Sequence, residues 1–340
     1  MKPKIFLTLI LTNIFISLSC KEEITKPEEP PAGRRDYVWD ITEIKPGNES
    51  LNLTDIWGSS PQNIWAVGSS SYTATSIWHF NGSQWRCDSI PRYVQPTSIW
   101  GSSENEVWLG NFNSTIWRYN GGNWSKFGEY KINEYDFTGF EDMAGKAHND
   151  IYAVGATQNN STLYYKAIIA HYNGVNWQFE DVPATKVGLA QVEIDTKTGT
   201  LVIYGLTFEN SIFTERIFYW DGKELKELLS GQGSANVTKL GDEIFVTMNE
   251  RIYKYENKNL ALWKDNTGTG IYGNIICGRS RNDFLIGSTT GIKHYNGTDF
   301  VTVYDKTDLR WIIGVIFEKE VFMILYSRDG KNYIIHGKLN

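Results

Sequence analysis

The chain has 340 residues, a formal charge of −6 and a pI near 5.5, with 13 Trp, 31 Gly and aromatics at 14 %. An acidic balance without a run of Lys or Arg excludes a nucleic-acid stripe, and 3 cysteines cannot build a disulfide framework. So many aromatics and glycines suit short strands and tight turns and fit poorly with a helical bundle.

The N-terminus comes first. Lys2 and Lys4 precede an apolar run, Ile5 to Leu18, that ends Ser17-Leu18-Ser19-Cys20. A short basic region, an apolar core of this length and small residues before a cut form a secretory signal too short for a stable membrane span. The stretch resembles bacterial lipoprotein signals, with Ser17 where such signals usually carry Leu. The resemblance implies that residues 1–19 are removed, that Cys20 is lipidated, and that the protein sits in the outer membrane. An ordinary cleaved signal with Cys20 incidental is the alternative. Residues 20–35, charged and carrying Pro27, Pro30, Pro31 and Gly33, read as an extended tether. Their start, Cys20-Lys21-Glu22-Glu23, is similar to the acidic signal that directs Bacteroidetes lipoproteins to the cell surface; a solvated linker without sorting content is the other reading.

From residue 36 the chain repeats. Trp57-Gly58-Ser59-Ser60 returns as Trp100-Gly101-Ser102-Ser103, a period of about 43 residues, which suits a four-stranded propeller blade. Asn63 to Gly68 returns as Glu106 to Gly110, Asp150 to Gly155 and Asp283 to Gly287. An aromatic followed by Asn-Gly or Asp-Gly recurs at Asn81, Asn120, Asn173, Asp221 and Asn296, and these dipeptides suit a two-residue hairpin turn. Second strands such as Ile64-Trp65-Ala66-Val67 are apolar on both faces, as expected when each blade is sandwiched between two others.

The fold class expected is all-β: one propeller over residues 36–340, with seven four-stranded blades. The weaker phrases in blades five and seven keep six or eight open. Blade seven lacks a fourth strand. Tyr37 to Ile44, with Tyr37, Trp39 and Ile41 on one face, is expected to supply it by pairing with Tyr333 to His336.

Few residues point to chemistry. His79, His171 and His294 share a register that holds Arg118, Tyr219 and Lys254 in other blades, so they read as structural; His148 has no partner at ligand spacing. Gly268 to Gly273 fits G-x-G-x-x-G, but a strand and not a helix should follow it. Asp195 to Gly199 reads as a hairpin turn. Cys87 and Cys277 are expected to be separate, mostly buried thiols. Asp88-Ser89-Ile90 resembles the short O-glycosylation pattern of exported Bacteroidetes proteins. No catalytic residue, metal ligand or cofactor is assigned.

Binding on a propeller favours the channel mouth, where innermost strands begin and longer loops gather. Acidic residues there include Asp55, Glu141, Asp142, Glu193 and Asp195. Loop aromatics Tyr130, Tyr135, Tyr164 and Tyr165 could stack on sugars or anchor a protein, or else cover blade ends. The Trp-Gly-Ser-Ser and Asn-x-Val/Ile-Trp-Ala-Val-Gly phrases resemble bacterial secreted propellers of kelch-like and two-component-regulator type, Asp283 to Asn296 being nearest the latter. The reading is a monomeric, non-catalytic envelope lipoprotein that binds a protein or glycan, touches membrane only through its anchor, and has no nucleic-acid partner. A carbohydrate-active enzyme with converging carboxylates, and a structural subunit of an envelope complex, are the alternatives.

Overall fold

A computed structural model describes residues 29–340, except 72, 89–91, 93 and 160–163. The signal, Cys20 and most of the tether lie outside the described residues, as do Ser89 and Ile90. Residues Pro31–Asn340 form one compact unit.

That unit holds seven four-stranded antiparallel sheets. Blade one runs from Leu51–Ser60 to Trp85–Cys87, blade two from Pro96–Ser103 to Trp124–Glu129, and blade three from Phe137–Ala147 to Trp177–Phe179. Blade four runs from Gly188–Ile194 to Leu225–Gly231, blade five from Ala235–Leu240 to Asn259–Asp265, and blade six from Ile271–Ser280 to Phe300–Tyr304. Blade seven has Leu309–Ile316, Glu320–Ser327 and Asn332–Leu339, and takes its outermost strand from Tyr37–Ile44. The register runs from Tyr37 opposite Leu339 to Ile44 opposite Asn332, so the first strand of the chain closes the last sheet. Tyr37 and Trp39 pack inward as expected, stacked on each other at 5.1 Å. Ile41 does not: it is 51 % exposed, out on the rim where blades fan apart.

The core lies between the blades. Seven clusters of buried side chains occupy the seven interfaces, one for each neighbouring pair around the ring. The first interface joins Trp65 and Val67 to Ile99, Leu109 and Trp124; the last returns Phe322 and Ile324 to Ile56 and Ile64. Burial on both faces of the second strands follows from this, since Ile64 to Gly68 all lie inside.

The repeat phrase explains how neighbours dock. Trp57 lies flat against Gly101 of the next blade, and a Cβ there would stand 2.6 Å from its ring; Trp100 lies likewise against Gly145. The serines that follow serve the next turn. Ser59 Oγ accepts from Asn63 Nδ2 at 2.8 Å, and Ser102 Oγ donates to Glu106 at 2.9 Å.

The Asn-Gly turns differ from the expected two-residue form. Only the glycine is left-handed, with Gly82 at φ 90° and its counterparts close to it, whereas the preceding Asn or Asp is not. Four residues connect the strands, and the Asn81 carboxamide accepts from the amides of Ser83 at 3.2 Å and Gln84 at 3.1 Å. The same pair of bonds recurs at Asn120, Asn173, Asp221 and Asn296. The side-chain acceptor two and three residues back is what the position selects.

Candidate functional site

Each blade runs its innermost strand down the channel from one end of the ring, so residues fall into layers that repeat from blade to blade. In blades one, three and four a bulge breaks the register of this strand, and the residues just beyond it are Asp55, Asp142 and Gln191. Asp55 accepts from the Ile56 amide at 2.8 Å and, across to blade two, from the Ile99 amide at 2.7 Å. Asp142 accepts from Met143 and, across to blade four, from Val192, both at 2.8 Å. Gln191 Oε1 accepts from Val237 of blade five at 3.2 Å. Ser98 holds the same position in blade two; its buried hydroxyl is too short to bridge and has no partner.

The channel therefore brings together three residues picked from sequence, but along its wall and not at its mouth. Asp55, Asp142 and Glu193 line one cavity of about 370 Å³, with Lys239 as its one cation. Enclosure by protein pushes all three carboxyl groups up. Asp55 rises through burial and then the charge of Asp142. Asp142 is pushed up to about 7 by burial, although the amides of Val192 and Met143 favour its anion. Glu193 is pushed up to about 8 by burial and the charge of Asp142, against the pull of Lys239. Glu141 rises through burial alone. Asp195 leaves the channel and caps its own hairpin turn, accepting from Lys197 N at 3.0 Å and from Thr198 Oγ1 at 2.7 Å.

The four tyrosines part company. Tyr130 is half-buried with its ring over Gly128, wedged against the core between blades two and three, and burial raises its phenol. It covers a blade end. Tyr135 is half-buried in the following turn, where its amide donates to the Ile132 carbonyl at 3.0 Å. Tyr164 and Tyr165 open the third strand of blade three, opposite Asn159 and Gln158, and their side chains lie outside the described residues.

The histidines pair by rule at the opposite end of the ring. Nε2 of His79, His171 and His294 meets Asn63, Asp150 and Asp283 at 2.6, 2.9 and 2.8 Å, each at the start of the second strand. His336 and Glu320 repeat the pair at 2.6 Å, and Arg118–Glu106 and Lys254–Glu243 are its cationic versions at 2.7 and 2.9 Å. Trp65, Tyr152 and Phe322 stack on three of these rings at 4.0, 4.2 and 3.8 Å. Among the described residues no group of three or more His, Cys, Asp or Glu is arranged to hold a metal. Gly268 to Gly270 is a turn leading into the innermost strand of blade six. Cys87 is half-buried and donates to the Ala74 carbonyl at 2.9 Å; the buried Cys277 thiol is pushed up to about 12 by burial.

A second cavity, of about 580 Å³, opens between blades six and seven at the end where innermost strands begin. Tyr272, Tyr304 and Tyr326 line it together with Lys306, Arg310 and Arg328. These residues do not stand out in the sequence, because they belong to three separate stretches divided between the regular blade six and the weaker blade seven. The signal was the linker Lys306-Thr307-Asp308-Leu309-Arg310, which carries cations where other blade junctions carry none so dense.

No family model matches the chain, and no curated protein matches its sequence. Solved propellers do match in shape. A structure described as YCF48 bound to D1 peptide superposes with a TM-score of 0.61 at 12 % identity, over 92 % of this chain and 99 % of that one. The β-propeller domain of Cps50 (Swd1) from Myceliophteria thermophila gives 0.57 at 9 % identity, over 86 % and 98 %. YCF48 from Cyanidioschyzon merolae gives 0.56 at 13 % identity, again over 86 % and 98 %. At such identities the likeness carries the seven-bladed fold alone, and it adds nothing for a kelch-like or other repeat family.

Proposed function

We propose that the chain is a non-catalytic binding propeller, anchored at the cell envelope through a lipidated Cys20, that takes a protein or peptide segment at the end where its innermost strands begin. One observation carries the reading. Two of the channel carboxylates, Asp55 and Asp142, are occupied holding blades together, whereas the open cleft between blades six and seven sets exposed cations beside tyrosines where a ligand can meet them. That a propeller of the same shape is known with a peptide bound supports a peptide over a small molecule. The anchor is supported by the Ser17-Leu18-Ser19-Cys20 sequence and the tether behind it.

A pull-down from envelope extract with the full-length protein in detergent tests the binding. Saturable capture of one envelope protein is expected, and capture of none across extracts would sink the reading. Metabolic labelling with an alkyne fatty acid tests the anchor: label should be lost in Cys20→Ser, and unchanged labelling would remove Cys20 from the account.

A carbohydrate-active enzyme is the second reading, favoured by Glu193, whose raised carboxyl would suit a general acid. It requires turnover of an envelope glycan that disappears in Glu193→Gln.

A further inference from the structure

We propose that the cleft between blades six and seven recognises an acidic peptide segment, its carboxylates held by Arg310 and Arg328 and its chain laid against Tyr272, Tyr304 and Tyr326. This rests on the protein-binding reading above and names the chemistry of the partner.

The charge pattern is the starting point. Most arginines elsewhere hold carboxylates: Arg35 with Asp299, Arg92 with Asp88, Arg118 with Glu106, Arg216 with Glu227, Arg251 with Asp265, Arg279 with Asp283 and Arg281 with Glu243. Arg86, alone on the outer strand of blade one, has no carboxylate and no second cation beside it in a cleft among the described residues. In a chain of net charge −6, acidic partners are plentiful. Yet Arg310 and Arg328 are exposed and make neither an ion pair nor a hydrogen bond among the described residues, and the same holds for Lys306. All three converge on one cleft, where Asp308 is the one carboxylate. A concentration of unpaired guanidinium groups on an acidic protein leaves a local field that an anionic ligand neutralises.

Geometry selects a carboxylate carried on an extended chain. Arg310 sits opposite Tyr326 in the antiparallel ladder of blade seven, so guanidinium and phenol stand side by side on one face of the sheet. Arg328 follows in the turn just beyond Tyr326, and Lys306 rises from the linker on the other wall. Tyr304 ends the outermost strand of blade six and Tyr272 lies 47 % exposed at the start of its innermost strand, so the aromatics span the blade from rim to channel. Planar guanidinium groups take carboxylates through two parallel hydrogen bonds, which a neutral amide cannot supply. The buried side chains of Ile292 and Leu325 form an apolar floor for the peptide between its charges.

The test is fluorescence anisotropy of the full-length protein in detergent with short labelled Glu/Ser peptides, amidated at the C-terminus, beside Gln/Ser and Lys/Ser peptides of equal length. The Glu/Ser probe should bind saturably and weaken as salt is raised, with the Gln/Ser probe at least ~10-fold weaker. Arg310→Gln combined with Arg328→Gln should bring the Glu/Ser probe down to that level without moving the melting temperature, since neither side chain has a structural partner. Asp308→Asn should tighten the same probe. Equal binding of Glu/Ser and Gln/Ser peptides, or full binding by the double variant, overturns the assignment. If the double variant still captures the envelope protein found by pull-down, the protein-binding reading stands and this cleft is not its site; loss of both signals together supports the two jointly.

Discussion

Asp55 joins two blades by itself, one carboxylate oxygen on the amide of Ile56 at 2.8 Å and the other on that of Ile99, 44 residues further on, at 2.7 Å. Asp142 repeats the device between blades three and four. A residue that a site-hunter would select for its buried charge is thus a fastener of the ring.

Removing it should be expensive. Asp55→Ala leaves two enclosed amides without an acceptor, at ~2–4 kcal/mol, and should lower the melting temperature by about 3–6 °C. Asp55→Asn keeps one acceptor and turns an amino group toward the other amide, so it should fall between wild type and Ala. Thermal unfolding of the three proteins checks the order. An Ala variant as stable as wild type would leave the clip without energetic weight.

The channel also sets a pH dependence. Glu193 has its carboxyl pushed from an ordinary 4.5 up to about 8, so the folded protein retains a proton that the unfolded chain gives up. Its contribution to stability is complete below about 4.5 and is lost as pH rises through about 8. Glu193→Gln mimics the protonated form and should raise the melting temperature by ~2–5 °C near pH 9, with almost no gain at the acid end of the window. A uniform gain at all pH values would mean that something other than ionisation is being relieved.

The packing of Trp57 on Gly101 gives a third expectation. The methyl of Gly101→Ala would meet the ring at 2.6 Å and force the two blades apart. A loss of about 1–3 kcal/mol is expected from such overpacking. Gly122→Ala is the control, because the nearest atom to its new methyl lies 3.7 Å away. Chemical denaturation should separate the two, and equal midpoints would contradict the docking role of the Trp-Gly pair.

Closure of the ring depends on the first described strand. Deleting residues 36–44 strips the outer edge of blade seven from Asn332–Leu339 and removes the Tyr37 hydroxyl that accepts from Arg279 at 3.0 Å. The exposed edge should drive the product into aggregates. A soluble truncation with a single cooperative melt would show that three strands suffice for this blade.

Much of this architecture was legible in the chain. The recurrence of Trp-Gly-Ser-Ser and Asn-Gly fixes blade length and strand boundaries, because each phrase is local: a turn needs its glycine and its side-chain acceptor, and a second strand needs apolar residues on both faces. The closing strand was readable for the same reason, since an incomplete blade at one end of a chain calls for a matching strand at the other. The histidine register could also be read, because residues that recur at one position in every blade share a structural role.

What the sequence could not decide is which side chains meet across blades. Asp55, Asp142 and Glu193 stood out as acids on inner strands, but whether their oxygens face a ligand or a neighbouring amide depends on bulges that shift the register at Leu53/Asp55 and Phe140/Asp142. Tyr130 was equally ambiguous until its ring was seen to fill a gap between blades. The cleft of Tyr272, Arg310 and Arg328 has no counterpart in the linear chain at all, for it exists only where blades six and seven fan apart. Local geometry repeats in sequence; the contacts between repeats are set by the curvature of the ring, which only the folded chain possesses.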